Sequence, residues 1–399
     1  MKRVAWALIL MLAAVPSWAA KQITVGQLED LLRSLQRDNK TDAEVATALT
    51  QVELSEELTA ARMNGLVSLV RGPLSTEQIF VLEARSADLI PPAEDLPATP
   101  LPDEATRHAI LAKAATYVAR TYDQLPGLIA SKTTLRFQDN VEAVAASSGL
   151  SGSAKEVVTS PGFSNPASFV HFINSTEEMA ASDHGAEKLP AQIGKVQWGA
   201  NKMVALEEPD PSLGAVFKEA QTAGGIHWLR WELVNGRQTA VYAFTVPSKK
   251  SHLNLNVCCF PKINQTGVAN FYTPTTAGML GGMGASGGGV AGNFQTNTEW
   301  HNYKATAPYH GELFIDPGSG IVVRMITEAE LQPSEVVHQL NTRIDYGPVK
   351  AGDKMLVAPV KTIINTQVVP NGDSGAGSYT TRRTLFTSEY KDYRLGGER

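Results

Sequence analysis

The pair Asn235-Gly236 limits what this chain can fold into more than any other feature of its sequence. It separates two runs with a period of two, 226–234 (IHWLRWELV) and 237–246 (RQTAVYAFTV). Both central residues of a type I′ turn need positive φ, which Asn and Gly adopt readily, and such a turn joins two antiparallel strands. The sequence therefore predicts a β-hairpin here, in a register fixed by its two-residue turn.

The same alternation of apolar and polar residues continues along the chain. Strands are predicted at 132–137, 252–260, 309–316, 321–329, 336–346, 353–369 and 378–394. Because most connections are short, residues 226–394 are expected to form one large curved antiparallel sheet, an open barrel with an apolar concave face. The turn at 316–320 is predicted to fix a second register. Pro359 within a strand predicts a bulge or an edge.

The first part of the chain shows helical spacing instead. Four helices are predicted: one from Val25, one after Thr41, one over 55–70 and one after Ser75. Thr41 and Ser75 each begin a capping-box pattern, which marks the start of a helix. Residues 91–102 (PPAEDLPATPLP) are predicted to form an extended, proline-rich linker.

A longer helix is predicted after this linker, capped by Asp103 and running to about Tyr122. Its predicted apolar face consists of Ala105, Ala109, Ala112, Thr116 and Tyr117. Shorter helices are predicted within 166–183 and at 213–222, and the second of these is a candidate to fill the concave face of the sheet.

The chain is therefore expected to be an α+β protein with four segments. These are a signal peptide (1–19), a helical region (20–90), the proline-rich linker (91–102) and a domain of one helix plus an antiparallel sheet (103–399), with helices on the concave side of the sheet.

The N-terminus predicts export. Lys2 and Arg3 precede an apolar run at 4–15, and small residues around Ala19 follow Pro16, which is the pattern of a cleaved signal peptide. We therefore expect a periplasmic or extracellular protein. The apolar run is shorter than the ~20 residues of a membrane-spanning helix, and no second long run follows, so the mature chain is expected to lack a transmembrane anchor.

The net charge of the mature chain bears on its binding partners, and its two cysteines bear on disulfide formation. Loss of Lys2 and Arg3 with the signal peptide takes the 35 basic residues to 33 against 40 acidic ones, a net charge of −7, which argues against a nucleic-acid partner. Cys258 and Cys259 are adjacent, so on a strand their side chains point to opposite faces. Two thiols are predicted, an intermolecular bridge is the alternative, and the redox state stays open.

Two short motifs resemble sites but lack the required context. Gly282, Gly284 and Gly287 form a G-x-G-x-x-G pattern, yet no strand-helix unit surrounds it, so the glycine-rich segment 277–292 is predicted to be a loop that could cover a cavity, and no cofactor is expected. Ser374 lies in Gly-Asp-Ser-Gly, as in trypsin-like proteases, but the partner motifs are missing and Ala376 replaces the second glycine. A turn is predicted, and no catalytic residue is assigned.

Histidine and carboxylate pairs raise the question of a metal site. Glu299 and His301, and likewise His310 and Glu312, share a face on two predicted strands, and if these strands were neighbours the four groups could bind Zn²⁺. Exposed polar pairs on a sheet are the alternative, so no metal ligand is assigned. His108 is predicted to be solvated rather than catalytic.

Aromatic residues surround the hairpin. Trp228, Arg230 and Glu232 are predicted to lie on one face of its first strand. The residues predicted on the other face are His227, Leu229, Trp231 and Leu233. Packing against Tyr242 and Phe244 is one interpretation of the aromatic rings, and a ligand-stacking wall with Arg230 is the other.

Seven stretches together resemble a family of exported bacterial proteins of unknown function that is common in soil lineages. They are 27–32, 52–63, 227–237, 251–260, 309–325, 343–352 and 389–396. The β half is also similar to the open-barrel sheets of outer-membrane lipoprotein carriers of the LolA and LolB type, through its strand pattern and the hairpin at 315–322. This second resemblance implies a cavity for an apolar ligand and supplies no catalytic residues.

The expected function is non-enzymatic binding of an apolar or lipid-like ligand in the cell envelope, through residues that the sequence does not specify. A secreted hydrolase is one alternative. The other is a structural or protein-interaction module that docks on an envelope protein through its helical region.

Overall fold

The computed structural model describes residues 21–139, 170–188, 205–206, 212–261, 300–332, 337–368 and 382–396. Its α-helices are α1 (Val25–Arg37), α2 (Asp42–Thr50), α3 (Ala60–Val67), α4 (Pro73–Arg85), α5 (Glu104–Tyr117) and α6 (Leu213–Ala223). A 3₁₀ turn spans Ala93–Asp95, and a π-helical turn over Val118–Tyr122 extends α5.

Fifteen strands are described in these parts of the chain. The early ones are β1 (Lys21–Ile23), β2 (Val52–Leu54), β3 (Leu128–Asp139), β4 (Val170–Asp183), β5 (Ala186–Lys188), β6 (Ala205–Leu206), β7 (His227–Val234) and β8 (Arg237–Val246). The later ones are β9 (Asn254–Pro261), β10 (Trp300–Thr306), β11 (Tyr309–Ile315), β12 (Val322–Ala329), β13 (Val337–Ala351), β14 (Lys354–Val368) and β15 (Arg382–Leu395).

Ten of these strands form one sheet, in the order β5-β4-β3-β15-β14-β13-β12-β11-β8-β7. All of its pairings are antiparallel, and its edge strands β5 and β7 do not pair with each other, so the sheet stays open. The predicted α+β class with an open antiparallel sheet is confirmed.

The hairpin predicted at Asn235-Gly236 is confirmed. β7 and β8 pair directly across it, and both turn residues have positive φ, 50° at Asn235 and 74° at Gly236, as a type I′ turn requires. The second turn is also where it was expected: Asp316 Oδ1 accepts hydrogen bonds from Ser319 N and Oγ, each 2.7 Å long, between β11 and β12.

Pro359 lies at a bulge, as predicted. Asp345 pairs with Lys361 and Tyr346 with Pro359, so Val360 is the extra residue of β14. Pairing of β14 with β15 begins only at Lys361. Pro359 therefore needs no N–H for a hydrogen bond to β15.

Two predictions about secondary structure and strand pairing were wrong. Residues 170–183 form the long strand β4, paired along β3, where a short helix was expected within 166–183. The strands of 226–394 do not all join one sheet, because β9 and β10 pair in a separate three-stranded sheet with β6. Strands β3, β4 and β5, which precede residue 226, complete the large sheet instead.

One face of the large sheet packs against α5, its π-helical turn and α6. The apolar residues that the helices bury there are Ile110, Ala114, Val118, Tyr122, Leu213, Val216, Phe217 and Ala220. The predicted apolar face of α5 was therefore wrong, since Ala105, Ala109, Ala112 and Thr116 are exposed and Tyr117 is half-buried. The helix predicted at 213–222 does pack on the sheet, as expected.

The helical region, α1 to α4 with the parallel pair β1–β2, covers the opposite face of the same sheet. Helix α4 buries Val81 and Ala84 against a patch of the sheet, and Ala87, just after the helix, packs there too. That patch consists of Phe137, Val170, Ile363 and Leu385. The sheet is therefore the middle of three layers, an arrangement that the sequence did not predict.

Helix α4 begins earlier than its capping-box pattern predicted. Ser75 is not the N-cap, because the helix starts at Pro73 after Gly72, and no side chain of Gly72 is available to cap it. The Asp42 carboxylate, on the neighbouring helix α2, caps the start of α4 instead. It accepts hydrogen bonds from Leu74 N at 3.0 Å and Ser75 N at 2.9 Å. The capping box predicted at Thr41 is confirmed.

The linker lies against the hairpin. Pro91 and Pro92 are buried, and Pro100 O accepts a hydrogen bond of 3.0 Å from Trp231 Nε1 on β7. The linker thus runs from the helical layer on one face of the sheet past its edge strand to α5 on the other.

We expect Gly311→Ala to lower the free energy of unfolding by about 1–3 kcal/mol. An added Cβ would lie 1.9 Å from Ile326 O and 2.8 Å from Phe244 Cζ, so backbone and ring would both have to shift. Urea unfolding measures the change. The matched variant Gly65→Ala lies in α3 with nothing within 4 Å, and it should gain up to about 1 kcal/mol. Equal effects of the two variants would contradict this packing.

Candidate functional site

A cavity of 270 Å³ lies between the helical region and the large sheet. From the helical side it is lined by Gln22, Glu53, Leu54, Leu82, Arg85, Ser86, Asp88 and Leu89. From the sheet it is lined by Gln339 on β13, Asn365 and Gln367 on β14 and Arg383 on β15. Nine of these twelve side chains carry a hydrogen-bonding group, so the cavity is built for a polar occupant.

Two guanidinium groups meet one carboxylate in this cavity. Arg85 Nη2 on α4 and Arg383 Nη1 on β15 donate to the same oxygen, Glu53 Oε1 on β2, at 2.7 and 2.9 Å. Burial lowers the pKa of Arg85, and the charge of Arg383 lowers it further. For Glu53, burial acts to raise the pKa, but the two arginines outweigh it and hold that pKa below its usual range.

Asp88 contributes a second carboxylate at the end of α4. It accepts a hydrogen bond from Asn341 Nδ2 on β13, and burial raises its pKa. Asn341 Oδ1 is buried and has no hydrogen-bond partner among the described residues.

A buried charge network lies beside the cavity, between the helical region and the sheet. Arg343 Nη1 contacts Glu57 Oε1 at 2.6 Å and its Nη2 contacts Asp345 Oδ2 at 3.0 Å. Arg324 Nε contacts Asp345 Oδ1 at 2.6 Å, and its Nη1 lies 3.6 Å from Glu57 Oε1. Burial acts to raise the pKa of Asp345, but the charges of Arg324 and Arg343 outweigh it and lower that pKa to about 2.

The network continues to the edge of the sheet. Arg230 binds Glu312 with two parallel hydrogen bonds of 2.8 Å and Glu232 Oε2 at 2.7 Å. Glu232 is 1% exposed, and its Oε1 has no hydrogen-bond partner within the described part of the chain. Burial raises its pKa to about 7 despite the charge of Arg230. Arg324 Nη1 lies 3.8 Å from Oε1.

The predicted faces of β7 need a correction. A bulge between Trp228 and Arg230 turns Trp228 to the same side as Trp231, where their rings meet edge to face at 4.8 Å. Trp228 also packs edge to face on Tyr242 at 5.4 Å, which supports the packing interpretation. Arg230 lies on the other face, 5.9 Å from the ring of Phe314.

The two strands considered for a metal site do not pair with each other. β10 pairs with β9, whereas β11 pairs with β8 and β12, so the two strands are not neighbours as the metal hypothesis required. His310 contacts Glu328 at 3.6 Å and Glu330 at 3.3 Å, and hydrogen bonding to Glu328 raises its pKa. No group of three or more His, Cys, Asp or Glu in the described ranges is arranged to hold a metal ion.

Several predictions concern residues outside the described part of the chain. These are the signal peptide, the glycine pattern at 282–287, Glu299 and the motif around Ser374. The side chains of His301, Cys258 and Cys259 lie outside it as well. His108 is exposed, as expected, with Glu104 3.5 Å away.

None of the cavity residues was identified from the sequence. Glu53 and Arg85 were assigned to helical segments, and Gln339, Asn365 and Arg383 to strands. Their alternation on β13 and β14 was visible, but such a pattern is typical of a solvent-facing side of a sheet.

No described helix is long and apolar enough to cross a membrane. No model of a known protein family matches the chain, and no curated protein sequence matches it. Among solved structures, a chain of the MucA/MucB complex of Pseudomonas aeruginosa matches with a TM-score of 0.20 and 8% identity, over 72% of this chain and 99% of that one. This likeness is too slight to bear on fold or function.

Proposed function

We propose that this chain is a non-enzymatic binding protein that works outside the cytoplasm and holds a small polar ligand between its helical region and its sheet. The observation that carries the proposal is the cavity, in which amide, guanidinium and carboxylate groups converge from both layers. Ligand sites place a few polar groups in a concave pocket of ~300–1,000 Å³, so a cavity of 270 Å³ suits a small molecule.

The cavity lining favours binding over hydrolysis. It contains no histidine or cysteine among the described residues, and Ser86 is its one serine there. The Ser86 hydroxyl donates to Glu83 O at 3.1 Å and accepts from Leu58 N at 3.0 Å, so it joins two backbone segments instead of facing a base.

The lipid-like ligand expected from the sequence has less support from the geometry. In the described part of the chain, the apolar face of the sheet is packed against α5 and α6, and Leu213, Val216 and Ala220 are fully buried there. Saturable binding of an apolar dye that lipid extract displaces would restore that ligand. Export itself rests on the signal-peptide pattern at 1–19, which N-terminal sequencing of the exported protein tests.

We expect native mass spectrometry of the purified full chain to show a bound small polar molecule, or a thermal-shift screen of polar metabolites to find one. Asn365→Leu removes one hydrogen-bonding group from the cavity and should weaken binding by about tenfold or more. Gln238→Leu is the control, because Gln238 is half-buried on β8 outside the cavity and should leave binding unchanged. If neither experiment finds a ligand, the proposed function fails.

A further inference from the structure

We infer that the ligand of this cavity carries a carboxylate, which binds Arg85 and Arg383 in the place that the Glu53 carboxylate takes in this structure. The inference rests on the proposed function and specifies its ligand class. It assigns Glu53 the part of an internal substitute for the ligand, held between one arginine from each layer.

The arginine geometry supports this class of ligand. A guanidinium group can bind a carboxylate through two parallel hydrogen bonds, which gives the most favourable pairing. Arg85 donates one hydrogen bond to Glu53, and Arg383 donates to the same oxygen. A carboxylate that enters the cavity from another direction can offer an oxygen to each guanidinium.

The balance of charge supports it as well. Arg85 is buried and shares the oxygen of Glu53 with Arg383, so burial and the charge of Arg383 both disfavour the charge of Arg85, and Glu53 does not fully offset them. Glu53 is the most exposed of the three side chains, at 37% against 17% for Arg85 and 29% for Arg383. The Glu53 carboxylate is therefore the group with the shortest way into solvent, whereas the arginines lie deeper in the cavity.

The alternative is a structural tether, in which Glu53 serves only to join β2 to α4 and β15. The two interpretations predict opposite results for removal of the Glu53 carboxylate. A tether without its carboxylate leaves the ligand affinity unchanged or reduced. A site in which Glu53 competes with the ligand binds a carboxylate more tightly once Glu53 is gone.

The test uses acetate as the probe and acetamide as its neutral isostere, added to the full chain at constant ionic strength. Binding is read from the melting temperature and from isothermal titration. We expect acetate, not acetamide, to bind saturably, and Glu53→Ala to bind acetate at least about tenfold more tightly than the wild type. Arg85→Gln and Arg383→Gln should each weaken acetate binding by about tenfold or more.

Circular dichroism establishes that each variant is folded, and Glu53→Gln replaces Glu53→Ala if the latter is not. Arg62→Gln is the matched control, because Arg62 pairs with Glu94 and Asp95 outside the cavity and should leave acetate binding unchanged. Equal responses to acetate and acetamide, or no tighter binding in folded Glu53 variants, overturn the inference. If mass spectrometry instead finds a neutral ligand that the Asn365→Leu variant no longer binds, the proposed function stands and only the carboxylate inference fails.

Discussion

Replacing Arg343 by leucine is expected to lower the free energy of unfolding by about 3–5 kcal/mol. Arg343 lies between the Glu57 and Asp345 carboxylates, at 2.6 and 3.0 Å, and it also donates to Ala87 O at 3.2 Å. It is 8% exposed, so water cannot replace these contacts. Without its charge, two buried carboxylates face the single guanidinium of Arg324, and the helical region loses its main ionic contact with the middle of the sheet.

Urea unfolding followed by circular dichroism measures this loss. Arg33→Leu is the control, because Arg33 pairs with Glu29 on the surface of α1 and should cost no more than about 0.5 kcal/mol. The double variant Glu57→Leu with Arg343→Leu should regain a substantial part of the loss, since it removes one of the stranded carboxylates. A loss below about 1 kcal/mol for Arg343→Leu would show that the network does not hold the two layers together.

Local chemistry explains why the β half was predictable. Asn235-Gly236 specifies a turn whose geometry admits few alternatives, and the strands on either side inherit their register from it. The hairpins β11–β12 and β13–β14 followed for the same reason, because short turns join their strands. Even the irregularity at Pro359 was visible, since proline cannot donate to a ladder.

Long-range order was the part that sequence patterns did not reveal. Strand β13 alternates polar side chains, among them Arg343 and Asp345, with apolar ones, and this pattern predicts that its polar face is exposed to solvent. The helical region covers that face instead and supplies Glu57 as a partner, so the polar residues are buried. Pairing between segments far apart in sequence leaves no periodic signal in either of them.

The candidate site was missed for a related reason. Its lining comes from two small strands, the end of α4 and three strands of the large sheet, and none of these segments alone resembles a binding motif. Glu53 and Arg85 are 32 residues apart and Arg383 is 330 residues from Glu53, so their meeting depends on the whole fold. The bulge at Trp228 likewise shifted a face that the period of two had placed on the other side.

Stability of the folded chain is expected to fall as the pH rises from about 5 to about 8, and Glu232→Gln is expected to remove much of this fall. Burial raises the pKa of Glu232 from 4.5 to about 7. Below pH 4.5 the group is protonated whether the chain is folded or not. Between 4.5 and 7 the unfolded chain releases a proton that the folded chain keeps, so stability decreases with pH, and above about 7 the decrease stops.

Burial is the largest cause of the raised pKa of Glu232, and the charge of Glu57 adds to it. Arg230 lies on the same strand and Arg324 on β12, while Glu57 faces it from the helical region. The four carboxylates of the network, those of Glu57, Glu232, Glu312 and Asp345, exceed its three guanidinium groups, those of Arg230, Arg324 and Arg343, by one negative charge. A proton on Glu232 removes that excess, in a place where only 1% of the residue is exposed.

Unfolding free energies of wild type and Glu232→Gln, measured in urea between about pH 5 and about pH 8, test this effect. At ~1.4 kcal/mol per pKa unit, the difference between the two proteins should change by about 3 kcal/mol across the range, in favour of glutamine at high pH. His310 and Asp88, whose pKa values are also raised, act in the same direction but are present in both proteins, so the subtraction cancels them. Asp345 loses its stabilising charge only as the pH falls toward 2, below this range. Parallel curves for the two proteins would mean that Glu232 is ionised throughout, and that Arg230 and Arg324 compensate fully for its burial.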